Sequence, residues 1–165
     1  MQRYIGTELI EAEPAYLVDG KIVTLAENRV PCGYRVERGY KVFFGENAGF
    51  MSKDRFEKAY LPLEVNGNLK TDKPSINQGM VDNFITYHET MTMGVKTTVV
   101  RAVLRNGFEL VESSSCVSAE NYDEAMGEQI CMKKIKDKVW MLLGFLLQTA
   151  VGGAGNDTAR EQKEG

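Results

Sequence analysis

Apolar and polar positions change rhythm along this chain. Residues 3–18, RYIGTELIEAEPAYLV, place Tyr4, Ile5, Leu9, Ile10, Leu17 and Val18 in strand-like runs. Pro14 interrupts them, and a proline inside a strand puts it at an edge or divides it. Asp19-Gly20 predicts a tight hairpin turn leading into the strand KIVTL. Residues 26–33 read as a loop. From 33 to 51 aromatic and β-branched residues recur at Tyr34, Val36, Tyr40, Val42 and Phe44, with Gly39, Gly45 and Gly49 as expected turns. Ser52 is placed to cap a helix over KDRFEKAY, where Phe56, Ala59 and Tyr60 share one face. Pro62 ends it.

The rhythm then breaks. Residues 64–74, EVNGNLKTDKP, are polar and rich in turn formers, which predicts a linker. Ile76, Met80, Phe84 and Tyr87 return at helical spacing, so a helix is expected over 75–88, capped by Ser75. The next segment, VKTTVVRAVLRNGFELVESS, holds Asn106-Gly107 between two β-rich runs. A two-residue type I′ turn there pairs Arg105 with Phe108, Val103 with Leu110 and Arg101 with Glu112.

After SSSCV the apolar positions Tyr122, Ala125, Met126, Ile130, Ile135, Val139, Leu142, Leu143 and Leu146 predict one long helix capped by Ser118. It is polar on one side early. Late, from Val139 to Leu147, no polar side chain remains. A helix apolar all round is buried all round, so its end needs cover from the sheet and from a neighbouring helix or a second subunit. Gly152, Gly153 and Gly155 stop it, and the tail is polar.

Composition narrows the function classes. Hydrophobic residues make up 43% and charged residues 26% of 165, an ordinary globular balance. The net charge of −3 argues against duplex nucleic acid, which wants a basic stripe. The apolar run is too short to span a bilayer, and no secretory signal opens the chain. The three cysteines Cys32, Cys116 and Cys131 lie far apart, and His88 is the only histidine. That set does not make a zinc site, so reduced, packed cysteines are expected and no metal or cofactor is called for. A nucleophile–histidine pair would have to use His88, which falls at the end of a predicted helix. No phosphate-binding glycine loop is present.

Two clusters carry candidate chemistry. Arg35, Arg38, Tyr40 and Lys41 mix cations with an aromatic ring, a combination that stacks a base and holds a phosphate. Lys96, Arg101 and Arg105 on the second hairpin are a weaker case. Ser114 and Ser115 lie between a strand end and a helix start, where hydroxyls and backbone N–H groups can meet an anion. Each cluster has a plainer reading: alternate residues of half-buried strands, and serines that satisfy chain ends.

Residues 106–148 also carry a resemblance. Asn106-Gly107-Phe108, Ser115-Cys116-Val117, Asn121-Tyr122-Asp123 and Asp137-Lys138-Val139-Trp140, followed by Gly144, Leu146, Leu147 and Gln148, resemble a family of small tailed-phage proteins named for gene products 49 and 66 of two phages. Lys96 to Val100 matches too, so the likeness covers about residues 75–150. The first half resembles a second phage-associated module through Tyr4-Ile5-Gly6-Thr7, Pro14, Gly39-Tyr40, Val42 and Phe56-Glu57-Lys58-Ala59-Tyr60. A Ser-Trp-Ser-Pro element of that module is replaced here by Phe50-Met51-Ser52-Lys53.

The resemblance implies a phage accessory protein in the cytoplasm of an infected bacterium. Some small proteins of that kind counteract host defence by holding a nucleotide signal intact. The expected fold is α+β: an N-terminal β-rich module over 1–63, a linker over 64–74, a helix–hairpin–long-helix module over 75–152 and a tail over 153–165. The leading expectation is a non-enzymatic binder that sequesters a nucleotide-derived immune signal. The alternatives are a module that inhibits a host protein through Phe43, Phe44 and Phe50, and a small hydrolase dependent on His88. A homo-oligomer is expected through Trp140, Leu143, Phe145 and Leu147.

Overall fold

The structure, a computed structural model, describes residues 2, 7–24, 32–63, 69–70 and 73–153. Most of the expected 26–33 loop, most of the linker and the tail from 154 lie outside the described residues. The chain divides into two units, Met1–Pro62 and Leu63–Gly165. The architecture is α+β.

The first unit is a four-stranded antiparallel sheet in the order β2-β1-β3-β4. Its strands are β1 (Glu11–Val18), β2 (Lys21–Thr24), β3 (Val36–Phe44) and β4 (Asn47–Ser52). Asp19 and Gly20 both take positive φ, 48° and 84°, the type I′ geometry that matches strand twist. Pro14 pairs with Tyr40 of β3, one residue beyond the point where β2 stops opposite Ala15. Strand β1 is thus undivided at Pro14, where β3 is its only described neighbour, so the proline sits at a local edge.

Gly39 and Gly49 lie inside strands, and only Gly45 turns the chain, at φ 60°. Gly39 is needed because a β-carbon there would stand 2.6 Å from the Phe50 ring. Helix α1 (Lys53–Ala59) follows β4 directly. Ser52 holds its N-cap position without a side-chain cap bond, and Asp54 sits in the first turn.

The second unit packs one long helix on a three-stranded antiparallel sheet of order β5-β6-β7. The expected helix over 75–88 is shorter, as α2 (Gln78–Phe84), and Asn77, not Ser75, caps it by accepting from the Met80 N–H at 2.8 Å. At Ile85 the chain becomes β5 (Ile85–Met93), so His88 lies on a strand. The helical spacing that included Tyr87 was accidental. Strand β5 pairs with β6 (Thr97–Leu104), which alternates in burial along its whole length.

The second hairpin also differs from expectation. Val103 pairs with Glu109, Ala102 with Leu110 and Arg101 with Val111. The Leu104 N–H donates to Phe108 O at 2.8 Å, so the loop is the three residues Arg105, Asn106 and Gly107, with Gly107 at φ 83°. This is the three-residue hairpin with a left-handed glycine. The one-residue slip moves Glu112 to the opposite sheet face from Arg101. Arg101 bonds Glu109 and Glu89 instead, and Glu112 pairs with Lys138.

Strand β7 (Glu109–Ser115) leads through a 3-10 turn, Ala119–Asn121, to α3 (Glu124–Gly152), 29 residues long. Ser118 caps the 3-10 turn, and Asp123 caps α3 by accepting from the Met126 N–H at 3.0 Å. The buried residues of α3 are Gly127, Cys131, Ile135, Val139 and Leu143, an i, i+4 ridge. It faces Thr98, Val100, Ala102 and Leu104 of β6, and Met80 and Val81 of α2 are buried in the same unit. No described helix is long and apolar enough to cross a membrane.

Candidate functional site

Strand alternation sorts the first cluster. Arg38 and Tyr40 share one face of β3, and Lys41 lies on the other. Lys41 meets Glu13 at 3.4 Å and sits 4.7 Å from the centre of the Phe43 ring. Arg35 precedes the strand, where its N–H donates to Asp19 Oδ1 at 2.9 Å. Arg38 and Tyr40 thus stay together, while Lys41 is separated from them.

What joins Tyr40 is α1. Its ring stacks on Phe56 with centroids 4.0 Å apart and planes 21° from parallel. Phe56 in turn meets Tyr60 at 5.1 Å. The i, i+4 spacing sets Phe56 and Tyr60 on one side of the helix, and β3 supplies the third ring. None of the three is fully buried, and α1 has no buried residue. The result is a ladder of three half-buried rings. Polar ends hold it: Tyr40 Oη donates to Glu57 at 3.1 Å and Tyr60 Oη to Glu8 at 3.4 Å.

Burial first, and then these carboxylates, push both phenols above their ordinary value. The charges of Arg38 and Arg55 pull Tyr40 and Tyr60, respectively, the other way. Arg38 shares the Tyr40 face of β3, and Arg55 precedes Phe56 in α1. Phe56, Tyr60 and Arg55 were not among the expected site residues. Their helical spacing was visible in the sequence, but it reads equally as a core face.

The remaining expected residues are dispersed in the second unit. Arg101 is on the outer sheet face, forked onto Glu109, with Nε to Oε2 at 2.8 Å, and reaching Glu89 at 2.8 Å. These partners raise its already high pKa and lower that of Glu109. Lys96 donates to Val117 O at 3.1 Å. Arg105 sits in the hairpin turn, its N–H bonded to Phe84 O.

Ser114 and Ser115 line a cavity of about 160 Å³ with Thr98, Tyr122, Asp123 and Gly127 among its walls. Pockets for drug-sized ligands run to about 300 Å³ and more. The Asp123 carboxylate already takes the anion position at the start of α3. Ser115 Oγ lies 2.8 Å from Thr97 Oγ1. His88 contacts Glu128 of α3 at 3.1 Å. Among the described residues no three His, Cys, Asp or Glu side chains are grouped to hold a metal ion.

The second unit is thus a β-meander backed by a single long helix that follows it in the chain. Its residues 76–151 match the family described as "Phage protein (N4 Gp49/phage Sf6 gene 66) family", a family of bacteriophage proteins. The N-terminal unit falls outside that match. No curated protein and no solved structure matches the chain.

Proposed function

We propose that this phage protein binds a nucleotide-derived immune signal in the cytoplasm of the infected host and sequesters it without cleaving it. The observation that carries the reading is the Tyr40–Phe56–Tyr60 ladder, with Arg38 two residues from Tyr40 on β3 and Arg55 next to Phe56 on α1. A base stacked on an aromatic face gains about 1–3 kcal/mol, largely independent of base identity. A guanidinium beside it forms charge-assisted bonds to phosphate. Those are the two contacts a nucleotide binder needs, and neither requires a catalytic group.

A thermal-shift screen against cyclic di- and trinucleotides and ADP-ribose derivatives tests this. One class should raise the melting temperature in line with RT ln(1 + [L]/Kd). Phe56→Leu, which keeps apolar bulk but removes the ring face, should abolish that shift. A flat screen rejects the reading.

A second reading, a module that inhibits a host protein, is favoured by the outer face of the β5-β6-β7 sheet. Tyr87, Met91, Met93 and Val111 are each more than half exposed there. Exposed apolar clusters of this kind mark interaction surfaces. By contrast Phe43 and Phe50 are half-buried, and only Phe44 of the three expected anchors is well exposed. Recovery of one specific host protein that Met91→Glu fails to retain, together with a flat ligand screen, would favour this reading.

A further inference from the structure

Helix α3 is longer than the sheet it covers. Its 29 residues extend about 43 Å at 1.5 Å per residue. The eight residues of β6 extend only about 27 Å. The buried ridge ends at Leu143, and no residue from Gly144 to Gly152 is buried. Side-chain chemistry changes near the same place. Lys134 and Lys138 are tied to the Ser113 carbonyl and the Glu112 carboxylate of β7. From Val139 to Gly152 there is no charged residue. Met141, Phe145, Leu146 and Val151 are exposed on this stretch, Phe145 to 73%.

Besides the terminal Gly152, two glycines lie inside the helix, and they differ. A β-carbon at Gly127 would collide with Thr98, so the chain's own packing requires that glycine. A β-carbon at Gly144 would meet nothing within 4 Å. Glycine within a helix costs stability relative to alanine, and at Gly144 no close approach among the described residues offsets the cost. A close approach by another backbone would use it.

We propose that the overhanging end of α3 is a homodimer interface in which two copies cross at Gly144, with Met141, Phe145 and Val151 packed across the two-fold axis. The occupant is a second copy because a two-fold contact sets one patch against itself. A charged patch would repel itself, and this one carries no charge. It equally offers no ion pair with which to select a charged foreign partner. A biological interface should clear about 1,000 Å² in total, so each helix end would contribute about 500 Å². Leu143, expected from the sequence to join such a contact, is 2% exposed and packs in its own unit.

Sedimentation velocity on the full chain tests this over about 1–100 μM, a range wide enough to catch a weak dimer. The wild type should dimerise. Phe145→Glu and Gly144→Leu should each raise the dimer dissociation constant by about tenfold or more, as expected for residues central to a contact. Gly144→Leu should at the same time leave helix content unchanged or higher, a combination that misfolding cannot produce. Met93→Glu, on the outer sheet face, should leave the dimer intact. A wild type that stays monomeric throughout overturns the proposal. So does an oligomer that survives both Phe145→Glu and Gly144→Leu.

Discussion

Gly127 of α3 lies so close to Thr98 of β6 that a β-carbon built on it would collide with the threonine Oγ1. Thr98 is fully buried and shares a 3.0 Å hydrogen bond with Tyr122 Oη, which also lies 2.7 Å from Thr92 Oγ1. Two turns of chain before and after the helix start are thereby fixed onto two strands. Cys131 follows one helical turn later, its Sγ 3.8 Å from the Thr98 carbonyl. These contacts set the height of the helix above the sheet.

Gly127→Ala should therefore destabilise the second unit by about 1–3 kcal/mol, the usual cost of forcing atoms into a filled interior. On an open helix face the same change would stabilise by up to about 1 kcal/mol. Urea unfolding distinguishes the two by sign.

Gly107 takes φ 83°, a region that costs a residue with a β-carbon strain. Gly107→Ala should lower stability by about 1 kcal/mol through strain in the native turn. Asn106→Ala should be milder. It loses only the bond from the Phe108 N–H to Asn106 Oδ1 at 3.1 Å, which lies at the surface. Paired melting curves check the order.

Acid should weaken the second unit through identifiable carboxylates. Arg101 holds Glu109 below its ordinary pKa, and Lys136 does the same for Asp82. A depressed native pKa stabilises the fold above the unfolded pKa, and that stability disappears as pH falls through the native one. Stability should thus decline from the ordinary carboxylate range downward. Arg101→Gln should flatten part of that decline in a pH series of denaturant midpoints.

Alkali should act on the first unit in the opposite sense. Tyr40 and Tyr60 have raised pKa values, chiefly from burial. Their contribution is complete below the ordinary phenol value of about 10 and is lost as pH climbs through the higher native values. Both should ionise above the ordinary phenol value in an absorbance titration. Tyr40→Phe should remove one late step.

Some of this was legible in the residues. Asp19-Gly20 demands a two-residue turn by its backbone preferences alone, and the turn is there. The long C-terminal helix is similarly local, a sustained spacing of three and four. Strand β5 was not legible because Tyr87 fell in step with Ile76, Met80 and Phe84, which outweighed the β-branched Ile85, Thr86, Thr90 and Thr92. Its identity comes from pairing with β6, a tertiary contact.

The Asn106-Gly107 turn was visible as a turn but not in length, since two- and three-residue loops both place glycine at positive φ. That one residue decided which carboxylate met Arg101. The candidate site was legible in part. Arg38 and Tyr40 stand out on β3, but joining them to Phe56 and Tyr60 needs the angle at which α1 leaves β4.

The most direct test of the aromatic ladder as the ligand site is titration calorimetry of the full chain with the nucleotide that gives the largest thermal shift. The wild type should bind it and release it unaltered on denaturation, as judged by chromatography. Arg38→Ala with Arg55→Ala should weaken binding by about tenfold or more, with the fold retained, because exposed charges contribute little to stability. Equal binding by the double variant, or recovery of a cleaved nucleotide, would contradict the account.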